Sequence, residues 1–343
     1  MKKNYINRFE KLRTRRFDEA LQRSILSESF SDIRLPQSVR YALESMKEID
    51  PDYTMNTYVA SENIRKNLTN GLSSKGLTVE YRHQGSVETN THIKLHSDID
   101  VLVFTAKFYS LEPPLTPAIY YQGDLMADLR ELRQKCYDVL SSTYNQVDNS
   151  NSTAIQVFPT RPKRKVEVVV SNWLDTQEFR TYSDEKYRGV HIYNKDNHSR
   201  KEDYPFLHIS RVRDKDSLVN GGVRKLTRML KTLRADADTD IKLSSFEILC
   251  LVFDIPNLSL SKHKTQELLL LNEGSNQLAK LINDSYYRSN LRSCNGKELV
   301  FGSDQSKVAE LKKLKLELDD LIEDIQEELG RSYKRIDEGI IYA

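Results

Sequence analysis

The sequence predicts an α+β fold, a mixed sheet with helices followed by a C-terminal helical-bundle domain, and three observations carry that prediction. Apolar runs of strand length close at Phe104, Phe158 and Val170, and the last two are rich in β-branched residues. Stripes of leucine and other apolar residues at helical spacing precede and separate these runs. From residue 221 onward the periodicity is helical throughout. A chain of 343 residues is long enough for two domains, or for one large domain with an appendage.

Taken in order, residues 1–48 are charged, contain only Pro36 among prolines, and read as helical segments that pack on another part of the chain. Residues 53–72 form one long helix. Met55, Tyr58, Val59, Ile64 and Leu68 make an imperfect stripe, and Asn70-Gly71 supplies a stop. Residues 77–82 are a short strand, Gly85-Ser86 a turn, and residues 98–104 the next strand. Prolines at 113, 114 and 117 open a loop. Helical register returns over 124–142 with Leu125, Leu129, Leu132, Cys136 and Leu140. The runs 153–158 and 166–170 form a hairpin across the polar, Pro-bearing segment 159–165. Val223, Leu226, Leu230 and Leu233 mark a core-facing helix, with Arg224, Arg228 and Lys231 on its other side. A second helix spans 244–252, with Ser245 or its neighbour as cap. A third spans 308–329, with Leu311, Leu314, Leu318, Leu321 and Ile325 as a core seam. The resulting division is 1–48, 49–205 and 206–343.

A formal net charge of +2 announces no nucleic-acid binder, so any electrostatic footprint must be local. The three cysteines (Cys136, Cys250, Cys294) have no paired spacing, which argues against a disulfide framework or a structural zinc site. The N-terminus lacks the apolar segment of a signal peptide, and no run approaches the roughly eighteen apolar residues of a membrane span. The expectation is a soluble cytoplasmic protein.

The chemistry concentrates at Gly85-Ser86 and Asp98-Ile-Asp100. Side chains alternate along a strand, so Asp98 and Asp100 share a face while Ile99, Val101 and Val103 enter a core. Two close carboxylates repel unless a cation sits between them, and oxygen-only donors suit Mg²⁺ with triphosphate oxygens. Glu167 is the candidate third carboxylate. It sits between Val166 and Val168, where an ordinary exposed glutamate paired with Lys165 is the competing reading. Arg161, Lys163, Arg164 and Lys165 read as a solvated hairpin tip. His92 and His96 have helical spacing but lie in a loop or strand, so no metal is assigned to them. The chain has no Walker-type or Rossmann glycine pattern.

Gly85-Ser86, Thr89-x-Thr91-x-Ile93, the Asp-Ile-Asp triplet, and a carboxylate in an apolar strand that ends near Trp173 together resemble the DNA polymerase β-like nucleotidyltransferases. The wording of the first motif is similar to that of the bacterial cGAS/DncV-like nucleotidyltransferases, which make cyclic or linear oligonucleotide messengers in the anti-phage defence called CBASS. Residues 226–233 and 243–247 resemble the lysine-bearing helix and the serine-aromatic step of that family, so the likeness covers about 55–255. It implies a polymerase β-like core with a long spine helix. It also implies Gly85 and Ser86 near the phosphates; two Mg²⁺ ions, or Mn²⁺ in their place, on Asp98, Asp100 and Glu167; Lys231 and Ser245 on the β- and γ-phosphates; and Phe246 stacked on a base. Both nucleotides would lie in a cleft between core and helical domain. The third carboxylate is more usually Asp in the family, and Glu is one methylene longer. The zinc-ribbon insertion that reads DNA has no counterpart in the cysteines here.

The implied reaction condenses NTPs (ATP, GTP and, as further candidates, pyrimidine NTPs) into a cyclic di- or trinucleotide with release of pyrophosphate. The implied partners are a downstream effector reached through that product and a CBASS accessory protein, with residues 339–343 either a free end or a site of covalent attachment to a partner. Two alternatives stand at this stage. One is nucleotide transfer to RNA, a small molecule or a protein on the same core; the other is a catalytically silent nucleotide-binding protein.

Overall fold

The computed structural model describes residues 3–16, 35–94 and 98–341, the last eleven of these as backbone alone. Residues 339–343 and His96 therefore lie outside the described side chains. The chain divides into two compact units. One comprises Met1–Ile49, Thr91–Leu95 and Val212–Ala343, and the other Asp50–Asn90 and His96–Arg211.

The first unit opens with α1 (Tyr5–Arg16) and α2 (Gln37–Met46). Leu12, Val39, Tyr41, Ala42 and Met46 are buried in the same core as the C-terminal helices. A buried Arg8–Glu317 pair at 2.6 Å fastens α1 within that unit.

The sheet unit begins with α3 (Pro51–Ser73), capped by the Asp50 carboxylate on the Asp52 N–H and started by Pro51 at a first-turn position. Then follow β1 (Val79–Gln84), β2 (Ile99–Thr105), β3 (Ser110–Leu111), α4 (Leu125–Thr143), β4 (Val147–Asp148), β5 (Ala154–Val157), β6 (Val166–Asp175), α5 (Gln177–Tyr182), β7 (Gly189–Asn194) and β8 (Ser199–Asp203). The ten-residue β6 is the hub: parallel to β2 and β3, antiparallel to β5 and β7. Its near-continuous apolar run follows from burial on both faces. Val168 and Val170 pack with Ile64, Leu68, Leu129 and Leu132 of α3 and α4, and Val169 and Trp173 pack with Leu102, Phe104 and Val190.

Two sequence expectations for α3 fail. The buried stripe is Thr57, Ala60, Ser61, Ile64, Leu68 and Leu72, whereas Met55 and Val59 are exposed. Nor does Gly71 stop the helix, which runs on to Ser73 and turns at Gly76 with φ +74°. Gly71 instead allows close packing, since a Cβ there would lie 2.6 Å from the Val139 methyls of α4. The β7–β8 hairpin has no counterpart in the sequence reading, because β8 is a polar edge strand, Ser-Arg-Lys-Glu-Asp, with no apolar alternation to reveal it.

Helix α6 (Pro205–Leu218) contains the division between the units at Arg211. Beyond it the helical unit contains α7 (Gly222–Asp236), α8 (Ser245–Phe253), α9 (Asn257–Leu260), α10 (Leu269–Asn283), α11 (Ser285–Ser289) and α12 (Ser306–Ile341). All the stripe residues read from sequence on α7 and α12 are buried in one core. Among the described residues no helix is long and apolar enough to cross a membrane.

Candidate active site

Strand pairing within the sheet unit gathers the carboxylates. Asp100 of β2 is in register with Glu167 of β6 and, on its other side, with Gln84, the last residue of β1. Asp98 immediately precedes β2 and is exposed. The Lys165 Nζ lies 2.8 Å from Asp98 Oδ2 and 2.8 Å from Glu167 Oε1. Glu167 Oε1 also accepts a 2.9 Å hydrogen bond from Gln156 Nε2 of β5. Burial pushes the Asp100 carboxyl up to about 7, and the negative charges of Glu167 and Asp98 add to the shift. Such a carboxyl ionises fully only when further positive charge arrives.

Because β1 ends level with Asp100, the turn that follows starts beside that carboxylate. Gly85 has φ +94°, and a Cβ built on it would stand 2.8 Å from Asp100 Oδ2. Only glycine meets both conditions. The Thr89 N–H donates to Gly85 O at 3.3 Å, its hydroxyl to Ser86 O at 3.3 Å, and the Asn90 N–H to Val87 O at 3.0 Å. This ties up the threonine that the motif spacing singled out. Buried Val87 roots the turn in the core. Tyr58 of α3 donates its hydroxyl to Glu88 Oε1 at 3.0 Å, and Ser61 lies 3.0 Å from His83 Nε2. Burial holds the His83 imidazole below its ordinary pKa.

Oxygen-only donors on adjoining strands fit a hard divalent cation. Three carboxyl groups stand around one ammonium, so the cluster has capacity for added positive charge. Among the described residues no three Asp, Glu, His or Cys side chains already stand at ligand spacing, and Asp98 and Glu167 are both turned to Lys165.

The remaining residues singled out from sequence lie in the helical unit. Lys231 of α7 is buried and donates to the Thr91 carbonyl at 2.6 Å, within the same unit. Burial above all, then the charges of Arg234, Arg228 and Lys94, lowers its ammonium to about 7. The basic side of α7 is not a solvated face: Arg228 is buried and donates to Met46 O at 2.8 Å, and Arg224 pairs with Asp216 at 3.3 Å. Ser244, not Ser245, caps α8, in a reciprocal box with Glu247. The Ser245 hydroxyl accepts from Arg234 Nη2 at 3.2 Å, and Phe246 beside it is 37% exposed.

Sequence reasoning missed Tyr58, Glu88 and Gln156 as neighbours of these groups, since no local pattern announces a cross-strand or helix-to-turn hydrogen bond. It took the hairpin segment as a solvated tip, which holds for exposed Arg161 and Lys163 but not for the other two. Arg164 is buried on Thr57 Oγ1 at 3.2 Å, and Lys165 points to the carboxylates.

Comparison with known proteins gives the family. The model of the cGAS/DncV-like nucleotidyltransferase C-terminal helical domain matches residues 210–323. A second model, of the anoctamin dimerisation domain, matches residues 46–201. A protein named c-di-GMP synthase from Flavobacteriaceae sp. genome_bin_11 is 32% identical over 368 aligned residues, covering 95% of this chain and 98% of its own. Among solved structures, a STING-associated CdnE c-di-GMP synthase from Flavobacteriaceae sp. superposes with a TM-score of 0.81 at 29% identity, over 95% of this chain and 99% of that one. One from Capnocytophaga granulosa gives 0.79 at 30% identity over the same shares. The likeness spans both units. This chain therefore belongs to the cGAS/DncV-like nucleotidyltransferases.

Proposed function

We propose that the protein condenses two molecules of GTP into c-di-GMP. Asp100, Glu167 and Asp98 clustered beside the Gly85 turn are the observation that carries the reading, and the named activity of relatives matching nearly full length supports the choice of product. In each of two steps a ribose hydroxyl of one nucleotide attacks the α-phosphorus of the other. The new P–O bond replaces the bond to pyrophosphate, the hydroxyl proton is lost, and two pyrophosphates leave per ring. ATP and the pyrimidine NTPs remain competing substrates for the same geometry.

Asp98, Asp100 and Glu167 would hold the divalent ions, with Mg²⁺ as the physiological choice and Mn²⁺ as substitute. When bound, such ions supply Lewis acidity that activates the attacking hydroxyl and neutralises the leaving pyrophosphate. Gly85 keeps the turn open so that backbone N–H groups and the Ser86 hydroxyl can approach phosphate oxygens. The family resemblance assigns Lys231 and Ser245 to the β- and γ-phosphates and Phe246 to a base; Lys231 would have to release the Thr91 carbonyl to take up that role. In-line placement of hydroxyl and leaving group is what these contacts contribute. The product would act on a downstream effector, within a CBASS-type defence that includes an accessory protein.

The test uses pure protein, Mg²⁺ and GTP alone, ATP alone or all four NTPs, with no other acceptor, followed by mass spectrometry of the product. A cyclic diguanylate from GTP alone is the expected result. No product without an added RNA, small-molecule or protein acceptor would favour nucleotide transfer to that acceptor instead. Asp98→Asn combined with Asp100→Asn should abolish product while the circular-dichroism spectrum stays native.

A further inference from the structure

Lys165 is not accounted for by the proposed chemistry. Its ammonium stands 2.8 Å from one oxygen of Asp98 and 2.8 Å from one oxygen of Glu167, two of the three carboxylates in the cluster. It reaches them from the residue just before β6, two positions ahead of Glu167, so the start of that strand holds it beside both carboxylates. The arrangement does little for folding: Asp98 is 48% exposed and Lys165 26%, and ion pairs this open contribute about 0–1 kcal/mol. What it does is occupy, with a single positive charge, the space between two carboxylates where a divalent ion would sit. The third carboxyl, Asp100, is not one of its contact partners, although the Lys165 charge acts on it from farther away and opposes the upward shift that burial imposes.

We propose that Lys165 is a built-in competitor for the divalent ion, filling the gap between Asp98 and Glu167 until a metal displaces it. The inference rests on the reading of these carboxylates as metal ligands. Entry of the ion then requires exchange: the ammonium leaves both oxygens and swings out on its flexible stem, and the ion takes them. Lys165 thereby sets the metal concentration at which the site fills, and it spares the cluster an uncompensated charge beforehand.

The experiment measures Mn²⁺ binding to the nucleotide-free protein from the electron-paramagnetic-resonance signal of free Mn²⁺. Lys165→Met and Lys165→Gln both remove the charge, the first keeping the length and the second guarding against loss of fold. Each should bind Mn²⁺ about tenfold tighter than wild type, as expected for removal of a unit charge at contact distance. Lys163→Met, which removes an exposed charge from the same segment, should change the Kd by less than about twofold on the same screening argument. Unchanged or weaker binding in the Lys165 variants overturns the proposal, as does equal tightening in Lys163→Met, which would mean a diffuse charge effect. Asp100→Asn separates the two layers of the argument. If wild type and Asp100→Asn bind Mn²⁺ equally, the carboxylate reading fails and takes the inference with it. If Asp100→Asn loses binding but the lysine variants match wild type, only the inference fails.

Discussion

Gly85 and Asp100 stand so close that a single methyl group on the glycine would lie 2.8 Å from the carboxylate oxygen. The turn and the carboxylate are therefore one device, with no room between them for a side chain. Gly85→Ala must both strain a backbone held at φ +94° and push Asp100 aside. The thermal cost is modest, about 1–2 kcal/mol. Catalysis should suffer far more, with kcat/KM for nucleotide condensation falling at least about a hundredfold, since a misplacement of about 1 Å is enough for that. Steady-state pyrophosphate release and a melting curve on the same preparation check both halves.

Lys231 makes stability depend on pH. Its ammonium falls on folding from the ordinary 10.5 to about 7, chiefly through burial. Between those values the unfolded chain binds a proton that the folded chain does not, so stability rises with pH across that window and reaches its low plateau below about 7. Melting temperatures of wild type and Lys231→Met, measured from pH 6 to 10, should diverge in favour of wild type as pH increases. A constant difference would mean that Lys231 keeps an ordinary pKa.

Gly71 and Val139 test the packing of α3 on α4. Alanine is a better helix former than glycine by about 1 kcal/mol, so Gly71→Ala in an open helix would stabilise. Here the added Cβ meets the valine methyls at 2.6 Å, and overpacking of about 1–3 kcal/mol should win. Adding Val139→Ala should recover much of the loss. Urea melts of the four proteins in the double-mutant cycle would show a coupling of opposite sign to the single effects.

Neighbouring serines at the start of α8 separate structure from the proposed binding role. Ser244 accepts from the Glu247 N–H at 3.1 Å while Glu247 accepts from the Ser244 N–H at 2.6 Å. Ser244→Ala should therefore cost about 1 kcal/mol of stability with little change in KM. Ser245→Ala should leave the melting temperature nearly unchanged and raise KM for the triphosphate severalfold. The reverse pattern would remove Ser245 from the proposed site.

Much of this molecule was legible in its residue order because the signals are local. The Gly-Ser turn, the alternation that puts Asp98 and Asp100 on one face, the β-branched run around Glu167 and the leucine seams of α7 and α12 all depend on neighbours within a few residues. The chain by itself determined its α+β class, its helical C-terminal unit and its family. Where periodicity was weak, the reading slipped: two of the five stripe residues of α3, Met55 and Val59, face outward, Gly71 was taken as a stop, and a polar edge hairpin was overlooked.

Tertiary structure decided the rest. Parallel pairing of β2 with β6 set Asp100 beside Glu167, two residues far apart in sequence. Pairing of β1 with β2 brought Gly85 against Asp100. Burial put Lys231 and Arg228 on backbone carbonyls inside the helical unit, where the sequence showed only a basic side of α7, and the approach of the chain to β6 turned Lys165 from a hairpin-tip charge into the counter-ion of two carboxylates. Periodicity records which way a side chain faces within its own element; it holds no record of which strand lies alongside, and partner and dielectric are both set there.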